Sequence, residues 1–304
     1  MKKIGLATAV LLAMTGANAY QVELQGQSEH LDVKGYDKTY TGQGQGTFYF
    51  KDVDSSKGPL AEAAFLNKAS NVQLGYHYNK LEADNGGPRT QTQAYGAKVE
   101  GYYTLPALPA VPMYGSASYS HTQSKNKSTS YKDNGDRYAL EIGAMPTDNF
   151  LLAVGYTSVA NPYSLDNFKA FNNGLLIAQN EAGVANQRKD AITARAKYVG
   201  NIDNTNMAFG FEVDSIFAND NAAYGLATDL YLTPKLSVGM TYADTSSYDS
   251  LYGRVWGGNV NYFITPVVSV GATYNKLDAK NYKDSSATPA ADAETIGLNA
   301  RVRF

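Results

Sequence analysis

The chain holds only three histidines, His30, His77 and His121, and no cysteine. Without thiols there is no disulfide framework and no thiolate zinc site. A barrel phospholipase would need a serine and a histidine together on its lipid side, and a barrel protease would need Asp and His converging at its outer rim. His77 has inward parity, while His30 and His121 lie near strand ends. No G-x-S-x-G or H-E-x-x-H context is present. Gly42, Gly44 and Gly46 imitate a phosphate-cradling loop but interrupt a strand pattern, where glycine eases curvature or close packing. Asp133–Asn134–Gly135–Asp136 reads as a turn and is too short for a calcium loop. The chain reads as non-enzymatic, with no cofactor and no metal.

What the sequence does supply is charge in a repeated setting. The final eleven residues, ETIGLNARVRF, place Ile296, Leu298, Ala300, Val302 and Phe304 on one parity and Arg301 and Arg303 on the other. A strand sends alternate side chains to opposite faces. The same alternation opposes Glu23, Lys98, Glu100, Arg137, Glu141, Arg195, Lys197, Glu212, Asp214 and Asp229 to apolar or aromatic neighbours. In a soluble sandwich the apolar face would meet a second sheet. In an outer-membrane barrel it would meet lipid, and these twelve charges would line a lumen. Both signs are represented, so no sharp ion preference is expected. Cross-strand pairing that merely fills the barrel is the plainer use of the same charges.

The N-terminus favours export. Met1–Lys2–Lys3 is a basic n-region, Ile4 to Met14 a short apolar core, and Ala17–Asn18–Ala19 a small-x-small cleavage site. Residues 1–19 therefore read as a signal peptide and 20–304 as one barrel domain. No apolar run after residue 19 approaches the roughly 20 residues of a membrane helix. Mean hydropathy is −0.35, a value that alternating lipid-facing and lumen-facing residues produce by cancelling. Losing the two signal-peptide lysines leaves 24 basic against 28 acidic residues. That balance argues against a nucleic-acid partner.

About fourteen alternating segments follow, separated by turn signals. Twelve or sixteen would follow if one pair were split or merged. Met145 to Asn149, Asn201 to Thr205, Leu232 to Lys235 and Ile264 to Pro266 are tight turns. Ala83 to Thr90, Ser124 to Gly135, Thr245 to Leu251 and Lys276 to Asp292 are longer and polar. Short turns on one side and long loops on the other suit an outer-membrane barrel. So do tyrosines near strand ends, such as Tyr78, Tyr156, Tyr242 and Tyr274, whose rings suit the headgroup boundary. A sheet in hydrocarbon must close, because an open edge leaves donors unpaired. The expected fold is all-β: a transmembrane antiparallel up-and-down β-barrel with long extracellular loops and inward-folded segments.

Three connections stand out. The longest, Ala160 to Arg188, carries Phe168, Phe171 and the run Leu175–Leu176–Ile177, and is a candidate constriction loop. Val53 to Ser70 falls on the short-turn, periplasmic side. Within it Pro59, Leu60, Ala63, Phe65 and Leu66 suit a short helix with one apolar stripe. It would lie under the rim or act as a lid over the periplasmic mouth. Leu105 to Pro112, stiffened by three prolines, connects strands or braces that lid.

The mature opening YQVELQGQSE, the segment Tyr49–Phe50–Lys51 leading to DSSKGPLAEAAFLNKAS, and the ending GLNARVRF resemble the small gated porin family of Acinetobacter, named for an apparent mass of thirty-three to thirty-six kilodaltons. GPLAEAAFLN is the most specific stretch, and the similarity runs over the mature chain. The resemblance implies a fourteen-stranded, monomeric outer-membrane channel of a Gram-negative cell. It would pass small hydrophilic solutes, be gated by inward-folded segments, admit polar antibiotics and take part in host-cell interaction. Outer-membrane lipids, lipopolysaccharide and the barrel assembly machinery are the partners expected, the last reading Phe304 as its C-terminal signal. The alternative is a structural or adhesive barrel with an occluded lumen whose loops bind host or envelope partners.

Overall fold

The computed structural model describes residues 19–33, 36–84, 87–107, 110–128, 132–159, 189–218, 221–245, 252–279 and 292–304. The signal-peptide core and the candidate constriction residues Phe168, Phe171, Leu175, Leu176 and Ile177 lie outside them. The strands are β1 (Ala19–Val33), β2 (Tyr36–Asp54), β3 (Asn71–Ala83), β4 (Arg89–Thr104), β5 (Pro112–Asn126), β6 (Lys132–Thr147), β7 (Phe150–Val159), β8 (Lys189–Asn201), β9 (Ala208–Ala218), β10 (Asn221–Thr233), β11 (Leu236–Thr245), β12 (Tyr252–Thr265), β13 (Val268–Ala279) and β14 (Ala293–Arg303). A 3-10 turn (Leu60–Glu62) running into the single-turn helix α1 (Ala63–Leu66) joins β2 to β3.

Each strand pairs antiparallel with its sequence neighbours, and β14 returns to β1 to close a fourteen-stranded barrel. The seam runs in unbroken register from Glu23↔Arg303 to Val33↔Ala293. Phe304 extends it, donating its N–H to the Val22 carbonyl and accepting from Gln21 N–H, at 2.9 and 2.8 Å. Closure leaves no unpaired sheet edge, the condition for crossing hydrocarbon with strands.

The outer face is apolar to a degree water would not tolerate. Leu74, Ile142, Met240 and Leu298 are 65, 67, 69 and 66 % exposed. The inner face carries Gln, Thr, Asn, Ser and the charges. Tyr40, Tyr76, Tyr103, Tyr138, Tyr224 and Trp256 stand outward as well, which suits an aromatic belt.

Four local features refine the simple alternation. Gln21 has the inner parity on simple alternation, but a bulge between Tyr20 and Val22 flips it outward and turns Tyr20 into the lumen. One extra residue reverses the faces before it. β5 alternates only weakly in sequence. Tyr114, Ser116, Ser118, Ser120 and Thr122 face inward while Tyr119 faces out, and small serines give little contrast with apolar neighbours. Arg254 interrupts the apolar face of β12 where register places it between Asp244 and Asp278, near the long-loop end. Met207 belongs to the turn before β9, its carbonyl accepting from Ile202 N–H at 2.9 Å. The long-loop side is also uneven: two residues separate β1 from β2, and two separate β9 from β10.

Candidate functional site

The β2–β3 connection is built to turn inward. Gly58 has φ of 122°, a left-handed conformation that favours glycine. Pro59 follows with φ of −59° and leads into the 3-10 turn. Asn67 closes the helix, its side-chain amide donating to the carbonyls of Ala63 and Asp54, both at 2.7 Å. Lys68, at φ of 48°, ends it in the left-handed region, a common way to stop a helix.

Apolar packing fixes the segment inside the barrel. Phe65 contacts a cluster of Tyr114, Met145, Leu151, Ala153, Val199, Ala208 and Tyr231 on the inner wall. Ala63 and Ala69 pack on Tyr20, Tyr49 and Val53. Leu60 is 5 % exposed and Phe65 8 %. Burying a Phe or Leu side chain stabilises by about 1.5–3 kcal/mol each. Sequence reading missed this patch because it assigned apolar residues to lipid. The available signal was that both parities turn apolar at the short-turn ends, as at Leu151 beside Leu152 and Phe263 beside Tyr262.

Polar contacts then tie the segment to walls far from β2. Arg303 Nη1 donates to the Leu60 carbonyl at 2.9 Å, and its Nε to Glu23 Oε2 at 2.7 Å. The same guanidinium lies 4.4 Å from the Tyr20 ring centre and 4.8 Å from that of Phe263. Leu60 N–H donates to the Pro234 carbonyl in the β10–β11 turn at 2.8 Å. Glu62 accepts from Tyr231 Oη at 2.8 Å and pairs with Lys197 Nζ at 3.0 Å. Lys197 lies 5.1 Å from the Phe65 ring centre. Outside the membrane span, Lys68 Nζ donates to Asp148 Oδ1 in the β6–β7 turn at 2.8 Å. That hydrogen bond holds the Asp148 carboxyl below the usual carboxylate range. Anchors on β8, β10, β14 and two turns carry the segment from β2 across the interior, at the end where most turns are short.

The other lumen charges form a relay above it. Lys197 reaches Glu212 at 3.4 Å, Arg195 reaches Glu212 at 3.6 Å, and Arg195 grips Glu141 with two hydrogen bonds at 3.0 and 2.7 Å. Arg195 lies 5.2 Å from the ring centre of Tyr114, whose hydroxyl donates to Glu100 at 2.9 Å. Lys98 pairs with Glu100 at 3.1 Å, and Arg301 sits 3.7 Å from Glu23. Asp214 stands opposite Arg195 in the β8–β9 register. Arg137 is buried on the inner face of β6. Asp229 takes a side-chain hydrogen bond from Asn259. Glu29, buried on β1, accepts from the Gln27 amide. Two polar cavities of about 110 and 140 Å³ flank the segment, each with room for several waters.

The histidines do not converge. His77 is buried on the lumen wall, His30 Nδ1 meets the Thr39 carbonyl at 3.1 Å, and His121 meets Asp136 at 2.7 Å on the outer face. Among the described residues no three His, Asp or Glu side chains are placed to hold a metal ion.

Comparison with known proteins places this architecture. The model of a family described as "Putative general bacterial porin" matches residues 1–304. The crystal structure of the Acinetobacter baumannii outer membrane protein Omp33 is 47 % identical, covers 95 % of this chain and 100 % of its own, and superposes with a TM-score of 0.67. A Pseudomonas aeruginosa FadL homologue (9 % identity, 94 and 91 % covered, TM-score 0.52) and the Ralstonia pickettii toluene transporter TbuX (6 %, 95 and 90 %, 0.53) share the fold alone. No curated protein matches. With a closed fourteen-stranded barrel, an apolar outer face and a match over its full length, the chain belongs to the general bacterial porin family and is a channel-type barrel of the bacterial outer membrane.

Proposed function

We propose that this porin is a gated passive channel for small hydrophilic solutes, closed at its periplasmic end by the Gly58–Asn67 segment. The observation that carries the reading is Glu62. Its carboxylate is held by Lys197 and Tyr231 on the far wall, so the connection behaves as a latched lid rather than a rim helix. The latch is polar and hydrogen-bonded, while Phe65 and Leu60 supply the packing. Such a segment has a second arrangement available, swung out toward the periplasm with its carboxylate in water. Polar antibiotics of similar size share the route. The signal peptide at residues 1–19 is removed, Phe304 is the signal read by the assembly machinery, and the barrel works as a monomer among lipopolysaccharide and phospholipid.

Liposome swelling tests the lid. Removing Gly58 to Asn67 leaves residues 55–57 and 68–70 to bridge β2 and β3. Reconstituted vesicles then swell faster in small sugars and amino acids than vesicles with the full chain. Equal rates would remove the lid, and a barrel with a permanently filled lumen, whose loops bind host or envelope partners, would take its place.

A further inference from the structure

The lumen wall is not uniform around its circumference. On β4 to β9 it carries the ion pairs of the relay. From β11 through β14 to β1 amides and hydroxyls predominate at mid-wall, with Glu23, Glu29, Arg301 and Arg303 as the charged exceptions. Along one row the strand register aligns Asn261, Gly271, Asn299 and Gln27, and the adjacent row brings Asn259, Thr273 and Gly297 together. The glycines are what allow the polar side chains to lie flat on the wall. A Cβ at Gly271 would collide with the Asn261 and Asn299 amides, and one at Gly297 with the Thr273 hydroxyl. This wall bounds the cavity of about 110 Å³ on the lumen side of Glu62.

The cavity's charges are mostly spoken for. Lys197 is engaged by Glu62 and Glu212, and Arg301 by Glu23 and the Gln25 side-chain amide oxygen Oε1 at 3.1 Å. What is left to bind a ligand is neutral, with one carboxylate. Asn261 Nδ2 donates to Asn259 Oδ1 at 3.0 Å, and Asn259 in turn donates to Asp229. The donors run one way and leave the Asn261 carbonyl oxygen as an acceptor. Thr273, 6 % exposed and part of the cavity lining, has a hydroxyl with no hydrogen-bond partner. A buried hydroxyl without a partner costs about 1–3 kcal/mol, and this one, covered at the cavity's edge, recovers that cost when a small shift of the wall lets a ligand hydroxyl reach it. Each primary amide offers two donors and an acceptor side by side, which matches adjacent hydroxyls, each both donor and acceptor.

We propose that this wall is a binding site for a neutral polyhydroxylated solute of the saccharide class, held by Asn261, Thr273 and Asn299 with Asp229 accepting from one hydroxyl. The proposal rests on the porin reading and names what that lumen retains as solute passes. The site lies directly on the lumen side of the lid, where a bound solute waits for the latch to open.

The test separates binding from conduction. Saturation-transfer NMR on the detergent-purified full chain, with maltose as probe, reports binding whether or not the lid opens. Wild type binds maltose. Thr273→Val/Asn299→Leu weakens binding tenfold or more, whereas Ser118→Ala on the opposite wall leaves it unchanged. Thr273→Ala, a milder change, reports the same direction should the double variant lose its barrel, which heat-dependent gel migration reads. Absence of maltose binding to wild type, or binding by Thr273→Ala and the folded double variant equal to that of wild type, overturns the proposal. So does tighter binding of the diamine putrescine that is lost in Asp229→Asn, which would make this a site for cations. Conductance in potassium chloride is recorded separately: silence of both the full chain and the lid-deleted chain defeats the porin reading, whatever the NMR gives.

Discussion

At the residue scale, Glu62 and Arg303 concentrate the energetics of the closed end. Glu62 makes two charge-assisted hydrogen bonds across the lumen. Hydrogen bonds to charged groups contribute about 1.5–3 kcal/mol. Glu62→Gln keeps the shape and removes the charge, while Lys197 retains Glu212 at 3.4 Å. A loss of about 2 kcal/mol from the closed state raises the open-to-closed ratio roughly thirtyfold. Bilayer recordings of Glu62→Gln are therefore expected to show a much higher open probability than wild type at equal unit conductance. An unchanged open probability would show that packing, not the latch, holds the lid. Arg303 is a different case, at 2 % exposed and shared between Glu23 and the Leu60 carbonyl. Arg303→Leu leaves Glu23 with Arg301 alone, 3.7 Å away. Breaking a buried pair typically costs about 3–5 kcal/mol. The barrel seam should then open at lower temperature, read as the temperature at which the folded band converts on a gel. An unshifted conversion would place the seam's strength in the backbone ladder.

At the scale of elements, the segment from Gly58 to Asn67 has three kinds of anchor, and their magnitudes differ. The Lys68–Asp148 pair lies at the surface, where Asp148 is 90 % exposed. Surface pairs are worth about 0–1 kcal/mol. Lys68→Ala is expected to change open probability by less than about fivefold, against the thirtyfold of Glu62→Gln. The reverse order, measured in the same recordings, would mean that the lid pivots about its interior anchors and is released from its rim. Strand alternation made nearly all of this barrel legible from the sequence: the outward Leu74, Ile142 and Leu298, the inward Lys98, Arg195 and Arg301, and the closure of β14 on β1. What alternation cannot carry is an inner face that is itself apolar. Met145, Leu151 and Val199 fall on the inner parity, but nothing local says that a helix from β2 packs on them. The partner of Glu62 was equally hidden, since Tyr231 lies 169 positions away. The inward turn of Tyr20 and the outward turn of Gln21 were hidden because a bulge is a backbone event that side-chain parity does not announce.

At the scale of the whole molecule, the lumen is nearly balanced in sign and its charges are largely paired with one another. Glu141, Arg195, Glu212 and Lys197 neutralise one another in sequence, as do Lys98 with Glu100 and Glu23 with both C-terminal arginines. A pore lined this way has little field to sort ions. Under a tenfold potassium chloride gradient the lid-deleted channel is expected to reverse near zero voltage. A reversal close to the potassium Nernst potential would show that Glu29 and Asp229, which have no ion pair among the described residues, set the selectivity instead, and one close to the chloride potential would contradict a balanced lumen.

The central claim is that a channel exists and that the β2–β3 segment closes it. Single-channel recording in planar bilayers, comparing the full chain with the chain lacking Gly58 to Asn67, tests this most directly. Rare, brief openings of the full chain and a steady, larger conductance after the deletion are expected. A deleted chain that folds, as judged by heat-modifiable migration, yet conducts at no voltage would contradict it.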